Sequence, residues 1–245
     1  MHEGLSGQTA IVTGGARGIG RGIGERLTSE GCRVVVWDLD LEPLSEAGNF
    51  KPAFTQQVDI SDLAMVQQAF EATLDAVGDI QILVNNAGIN GPVVEVGEYP
   101  LDAWERVIAV NLNGVFHGCR TVVPHMKKRG YGRIATVASI AGKEGMPNIC
   151  AYTAAKAGAI GFCKGLAKEL HGTDILVNSL VPVMTETDLF KEMTQEHIDY
   201  CRGLIPMGRF PKIEEIAATV AWMVSPECSF TTGGIFDMTG GRAVY

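Results

Sequence analysis

A short apolar run, Thr9 to Thr13, passes straight into the glycine loop Thr13-Gly14-Gly15-Ala16-Arg17-Gly18-Ile19-Gly20, and a helical stretch from Arg21 to Glu30, closed by Gly31, follows it. This order constrains the fold most, because strand, glycine turn and helix in succession form half of a parallel βαβ unit. The alternation continues down the chain. The β-rich run Arg33 to Trp37 ends at Asp38, and Phe54 to Val58 ends at Asp59. A helix is expected over Leu63 to Val77, with Asp62 near its start and Gly78 as its stop. Ile80 to Val84 leads into Asn85-Asn86-Ala87-Gly88, and one or two helices span Leu101 to Met126. Further strands are expected at Gly132–Ala138, Asp174–Leu180 and Gly234–Met238, with helices at Ala151–Leu170 and Ile213–Val224. Near-continuous apolar strands alternating with helices predict an α/β Rossmann-type fold, a doubly wound parallel sheet of about seven strands covered on both faces. There is no repeat, linker or low-complexity tract, so residues 1–245 read as one domain. The polar, Met-bearing segment near 187–205 is expected to cover the substrate as a lid.

The bulk numbers exclude several classes. With 46% hydrophobic and 20% charged residues the chain buries a sizeable core. A formal net charge of −8 argues against a nucleic-acid partner, which needs a basic stripe. The six cysteines have no CxxC spacing, so neither a metal site nor a disulfide framework is expected. The polar residues 1–8 do not resemble a signal peptide, and no apolar run is long enough to span a membrane; a soluble, cytoplasmic protein is expected.

Without β-carbons, the backbone at Gly14, Gly18 and Gly20, with Arg17 and Ile19 between them, can approach a pyrophosphate at the helix N-terminus. Asp38 lies at the end of the second strand, where a carboxylate accepts hydrogen bonds from the ribose hydroxyls of NAD and repels the extra phosphate of NADP. Arg17 pulls the other way, but one flexible arginine does not offset like-charge repulsion at contact distance, so NAD is preferred over NADP. Asp59 and the Ile60 backbone are candidates for the adenine, and Asn86, Ala87 and Gly88 for the ribose. A structural turn is the plain alternative for each.

Tyr152 and Lys156 are spaced by one helical turn and share a helix face. An ammonium there lowers the pKa of a phenol, which can then exchange a proton with an alcohol or carbonyl. TGGARGIG at 13–20, NNAG at 85–88, Asn111, Ser139 and YTAAK at 152–156 together resemble the short-chain dehydrogenase/reductase family, over a stretch from about Gly7 to Tyr245. The resemblance implies an NAD-dependent dehydrogenase or ketone reductase acting on a secondary alcohol. It assigns Tyr152 as general acid/base, Lys156 as the residue that tunes the phenol and binds the nicotinamide ribose, Ser139 as the group that orients the substrate oxygen, and Asn111 as the holder of a relay water. It also places Pro182, Thr185 and Thr187 against the nicotinamide carboxamide. Here the chain departs from the family pattern: Val183 stands where a glycine is usual, so a left-handed backbone would be costly and the local path is expected to differ.

Asn90, Lys143, Glu144, Asn148 and Thr185 are polar candidates near the site, which favours a small hydroxylated substrate such as a sugar, polyol or sugar acid. The chain also resembles 3-oxoacyl-acyl-carrier-protein reductases; that alternative suits NADPH and a basic docking run, for which Lys127-Lys128-Arg129 is the candidate. A non-catalytic dinucleotide sensor on the same fold is an alternative of another class. A homotetramer is expected, with the long helices over 103–126 and 151–170 pairing across a two-fold axis. Ala154, Ala155, Ala157, Gly158, Ala159 and Gly161 would then supply a small-residue surface.

Overall fold

The computed structural model describes residues 2, 4–46, 48–185 and 194–243. Seven strands, β1 (Thr9–Thr13), β2 (Arg33–Asp38), β3 (Phe54–Gln57), β4 (Ile82–Asn85), β5 (Gly132–Val137), β6 (Ile175–Pro182) and β7 (Ile235–Met238), form one sheet in the order β3-β2-β1-β4-β5-β6-β7. Every pairing is parallel. The order reverses between β1 and β4, which opens a crevice at the carboxyl ends of those strands, where ligands bind in open α/β sheets.

Period-two alternation distributes the strands between two cores. Ile11, Val35, Leu83, Ile134 and Val177 face the helices α2 (Leu63–Val77), α4 (Gly114–Arg129) and α6 (Cys150–Glu169). Ala10, Val12, Val34, Val36, Ile82 and Val84 face α1 (Gly18–Ser29) and α8 (Ile213–Met223). Full burial of an aliphatic side chain contributes on the order of 2 kcal/mol, so two such layers hold the sheet between the helices. One buried polar pair links β2 to α2: Trp37 donates its indole N–H to Thr73 Oγ1 at 3.1 Å, and Thr73 in turn donates to the Ala69 carbonyl.

Local sequence explains most element ends. Asp62 caps α2 by accepting from the N–H groups of Ala64 and Met65, and Gly78, at φ 77°, ends it. Helix α1 starts at Gly18, three residues before the expected Arg21; Arg17 is extended, and Gly18, at φ 55°, makes the turn from the loop into the helix. The stretch expected as one or two helices is α3 (Leu101–Ile108) and α4, joined by a π-helical turn over Ala109–Asn113. Two helices lay outside the sequence expectations: the five-residue α5 (Ile140–Glu144) and α7 (Gln195–Gly203), which Thr194 caps. Helix α7 falls in the polar segment near 187–205 expected to cover the substrate, of which 187–193 lie outside the described residues. The small residues of α6 divide: Ala155 and Ala159 are in the core, whereas Ala154, Ala157 and Gly161 are exposed.

Helix α5 sits hard against α6. A β-carbon on Gly142 would lie 2.6 Å from the carbonyl carbon of Lys156 and 2.7 Å from the amide nitrogen of Ala157, both backbone atoms that cannot yield. Gly142→Ala is therefore expected to destabilise the fold by about 1–3 kcal/mol in a denaturant titration. A variant as stable as the parent would contradict this packing.

Candidate active site

The carboxyl ends of β1, β2 and β4 form the first half of the site. The Thr13 hydroxyl accepts from the N–H groups of Asn86 and Ala87 at 3.0 and 3.1 Å, and Asn86 Nδ2 donates to the carbonyls of Thr13 and Gly14, both at 3.0 Å. Asn86 thus stitches the segment after β4 to the glycine loop, so its amide is committed to the loop and only Ala87 and Gly88 keep the small surface expected beside a ribose. A β-carbon on Gly20 would run into the Gly14 carbonyl and the Asn86 amide, and Gly14 has φ 63°. Both glycines are required by this close approach.

Helix α1 begins with no side-chain cap and no acidic residue in its first turn. Its first N–H groups and positive dipole end therefore suit an anion, which fits a dinucleotide pyrophosphate. Asp38, at the end of β2, accepts from the Ala16 N–H at 2.9 Å through Oδ2 and from the Asp40 N–H at 3.3 Å through Oδ1. Its carboxylate is fixed beside the glycine loop, where it fits a ribose diol and opposes a phosphate. Arg17 is exposed at the head of α1.

Asp59 is more engaged than its sequence context suggested. Its Oδ1 accepts from the backbone N–H and the hydroxyl of Ser61, its Oδ2 lies 3.0 Å from Arg106, and Arg106 also donates to the Ser61 hydroxyl at 2.7 Å. Burial alone would raise the Asp59 pKa, but these bonds hold it below the usual carboxylate value. Arg106, on α3, has no signal in the sequence beyond helix periodicity. The neighbouring Ile60 is buried, and its carbonyl lies 3.0 Å from His117 Nδ1.

The second half of the site lies at the end of β5 and on α6. Lys156 is 4% exposed, and its ammonium donates to the Val137 carbonyl at 2.9 Å. Burial lowers its pKa to about 8. The Tyr152 ring centroid is 5.6 Å from that ammonium. Burial pushes the phenol above its ordinary value, and a hydrogen bond with Ser139 opposes the rise. The phenol tuning expected from Lys156 is therefore opposed here by desolvation of the phenolate, while the ammonium is turned to a main-chain carbonyl. Ser139 also caps α5, its Oγ accepting from the Ala141 N–H at 3.2 Å.

Asn111 lies in the π-helical turn and is fully buried. Its Nδ2 donates to the carbonyls of Ile89 (2.8 Å) and Val107 (3.0 Å), and its Oδ1 accepts from the Ile89 N–H at 3.3 Å. Asn111 thereby pins the chain after Gly88 beside Lys156. A β-carbon on Gly88 would lie 2.6 Å from Asn111 Oδ1 and 3.4 Å from Lys156 Nζ, so these three residues form one packed unit.

Beyond β6, Pro182 pairs with Met238, and Val183 is buried and donates to the Met238 carbonyl at 3.4 Å. Among the described residues Asn148 is the one non-glycine with a positive φ, 65°, so Val183 follows an ordinary path and requires no left-handed backbone. Thr185 is buried and donates to the Val183 carbonyl, while Thr187 lies outside the described residues. Of the polar substrate candidates, Asn90 is exposed, Lys143 pairs with Asp237, and Glu144 pairs with Arg242. The Asn148 carbonyl accepts from the Val94 N–H at 2.8 Å, joining the loop before α6 to the segment after β4.

The arrangement brings a buried lysine, a phenol and a serine hydroxyl together at one edge of a crevice whose other edge suits a dinucleotide. Comparison with known proteins agrees. The short chain dehydrogenase family pattern matches residues 8–198. The chain is 46% identical over 241 residues to a 2-dehydro-3-deoxy-L-rhamnonate dehydrogenase (NAD(+)) of Sphingomonas sp. (strain SKA58), covering 98% of this chain and 97% of that protein. A 3-ketoacyl-(acyl-carrier-protein) reductase from Brucella melitensis complexed with NADH superposes with a TM-score of 0.91 at 34% identity, over 98% of this chain and 100% of that one. An NAD+-bound xylitol dehydrogenase superposes with a TM-score of 0.91 at 29% identity, over 98% and 100%. The chain belongs to the short chain dehydrogenase family and is an oxidoreductase that uses NAD to interconvert a secondary alcohol and a ketone.

Proposed function

We propose that the substrate is a small sugar acid of the 2-keto-3-deoxy type, oxidised at a secondary hydroxyl. The observation that carries this reading is the Asp38 carboxylate, held on the Ala16 N–H at a place that would favour NAD, taken with the 46% identity to a 2-dehydro-3-deoxy-L-rhamnonate dehydrogenase (NAD(+)). The acyl-carrier reading gains less. Lys127, Lys128 and Arg129 form the last turn of α4, where cations complement the helix dipole, and Arg129 is paired with Asp79 at 2.6 Å.

In this reading Tyr152 is the general base for oxidation. Once the phenol has lost its own proton, its phenolate oxygen takes the hydroxyl proton of the substrate, whose oxygen the Ser139 hydroxyl holds, and becomes the phenol again. Bound NAD supplies the hydride acceptor. The Lys156 ammonium gives the phenolate a nearby positive charge, and Asn111 keeps the adjoining chain in place for a relay water. Gly14, Arg17, Gly18, Ile19, Gly20, Asp38, Asp59, Ile60, Asn86, Ala87 and Gly88 would line the dinucleotide, and Pro182, Thr185 and Thr187 the carboxamide. Residues 1–245 act as one domain, with 187–205 covering the substrate; Ile198 of α7 packs with Val183, Ile205 and Phe210, which ties that cover to the end of β6.

A cytoplasmic homotetramer belongs to the same reading. Phe116 on α4, 42% exposed, stacks edge-on against Phe162 of α6 at 6.1 Å, and β-carbons on Gly161 and Gly165 would meet nothing within 4 Å. That open face suits a second copy of the same helices. Among the described residues no helix is long and apolar enough to cross a membrane.

Tyr152→Phe should lower NAD-linked oxidation of 2-keto-3-deoxy sugar acids by at least about a thousandfold while NADH binding, followed by fluorescence, changes little. A variant that keeps its turnover rules out Tyr152 as the base; wild-type turnover confined to 3-oxoacyl thioesters rules out the substrate class. Separately, Asp38→Ala should narrow the preference for NAD over NADP by on the order of tenfold or more in kcat/KM. An unchanged preference would remove Asp38 from cofactor selection.

A further inference from the structure

Helix α5 is one and a half turns long, too short to hold its own position. Yet its first residue follows Ser139, whose hydroxyl both caps it and bonds to the Tyr152 phenol. Whatever fixes α5 therefore fixes the serine. One anchor is the contact of Gly142 with α6. The other lies at the far end of the chain. Lys143 Nζ reaches Asp237 Oδ2 at 2.8 Å, with side chains 9% and 28% exposed, and Arg242 reaches Glu144 Oε2 at 3.0 Å, with side chains 15% and 24% exposed. These pairs span 94 and 98 residues of sequence. Arg242 also lies 3.4 Å from the Met146 sulfur, just beyond α5.

The segment that supplies both partners is itself rigid. Asp237 Oδ1 accepts from the backbone N–H and the hydroxyl of Thr239, which is fully buried, and Thr239 Oγ1 accepts from the Ala243 N–H at 3.0 Å. Gly240 and Gly241, at φ 64° and 88°, turn the chain back on itself. The Gly240 carbonyl accepts from the Met207 N–H at 3.1 Å, and the Met238 carbonyl from the Val183 N–H. One short stretch thus holds α5, the end of β6 and the segment after α7 together. Partly buried, tied pairs of this kind are less screened than open surface pairs.

We propose that residues 237–243 form a clasp that positions the Ser139 hydroxyl, fastened by the Lys143–Asp237 and Glu144–Arg242 pairs. Lys143 and Arg242 are positioning residues in this account: they act through α5. The inference rests on the role given to Ser139 in oxidation, and the test separates the two.

The first arm is amide hydrogen exchange on the intact wild-type protein and on Lys143→Met and Arg242→Gln, with no substrate present. Exchange over 140–146 should quicken at least tenfold in both variants, with α8 unchanged; unchanged exchange over 140–146 overturns the clasp whatever the substrate proves to be. The second arm is kinetic. Both variants should lose about tenfold or more in kcat/KM for the alcohol while NADH affinity stays within about twofold. The reversed pair, Lys143→Asp with Asp237→Lys, should recover most of the loss suffered by Lys143→Asp alone. Equal losses in NADH affinity and alcohol turnover, or no recovery in a folded reversed pair, would reduce the contacts to general stability and overturn the proposal. Full activity in Ser139→Ala alongside quickened exchange in the clasp variants would overturn the role of Ser139 and leave the clasp standing.

Discussion

A buried ammonium governs this site. Lys156 is almost wholly withdrawn from water, with the Val137 carbonyl as its main-chain partner, and the cost of that burial brings its pKa to about 8. The surroundings are shaped to keep it there. Gly88 leaves room beside the ammonium, Asn111 fixes the chain that carries Gly88, and Gly142 lets α5 close over the backbone of α6. The same closure places Ser139 on the phenol of Tyr152. A charge that weakens the fold is thus kept 5.6 Å from the centre of the Tyr152 ring, which is where the proton transfer proposed for that phenol would draw on it.

The cofactor side of the crevice depends on main-chain geometry instead. The Thr13 hydroxyl and the Asn86 amide join the ends of β1 and β4, so the glycine loop cannot drift from the strand that bears Gly88. Asp38 is drawn to the Ala16 N–H, which places one negative charge next to an uncapped helix end. A helix end that suits a pyrophosphate and a carboxylate that would disfavour a further phosphate thus lie within one loop of each other. The two halves meet at the switch in strand order between β1 and β4.

Much of this was legible in the sequence, because it rests on local rules. The strand–glycine–helix succession gave the parallel sheet, the Asp62 cap and Gly78 stop bounded α2, and the YxxxK spacing put Tyr152 and Lys156 on one helix face. What escaped depends on contacts between distant segments. Nothing near Lys143 announces that its partner is Asp237, and nothing near Asp59 announces Arg106. Helix α5 was unreadable because so short a helix has no periodicity to show, and the π-helical turn because Asn111 holds it through the Ile89 and Val107 backbone. The concern over Val183 dissolved for a similar reason: the partner strand β7 keeps its backbone extended past Pro182.

The central claim is that Lys156 is held charged against the preference of its surroundings. Between pH 8 and 10.5 the unfolded chain keeps a proton on this lysine that the folded chain releases, so its contribution to stability is least below about pH 8 and rises with pH through that window. The direct measurement is urea unfolding of the wild type and Lys156→Met at pH 7 and at pH 10. The wild type should gain on the variant by about 2.5 kcal/mol between the two, since ionisations common to both proteins cancel. A difference between the proteins that does not change with pH would contradict the account, because it would mean that burial exacts nothing from the charged lysine.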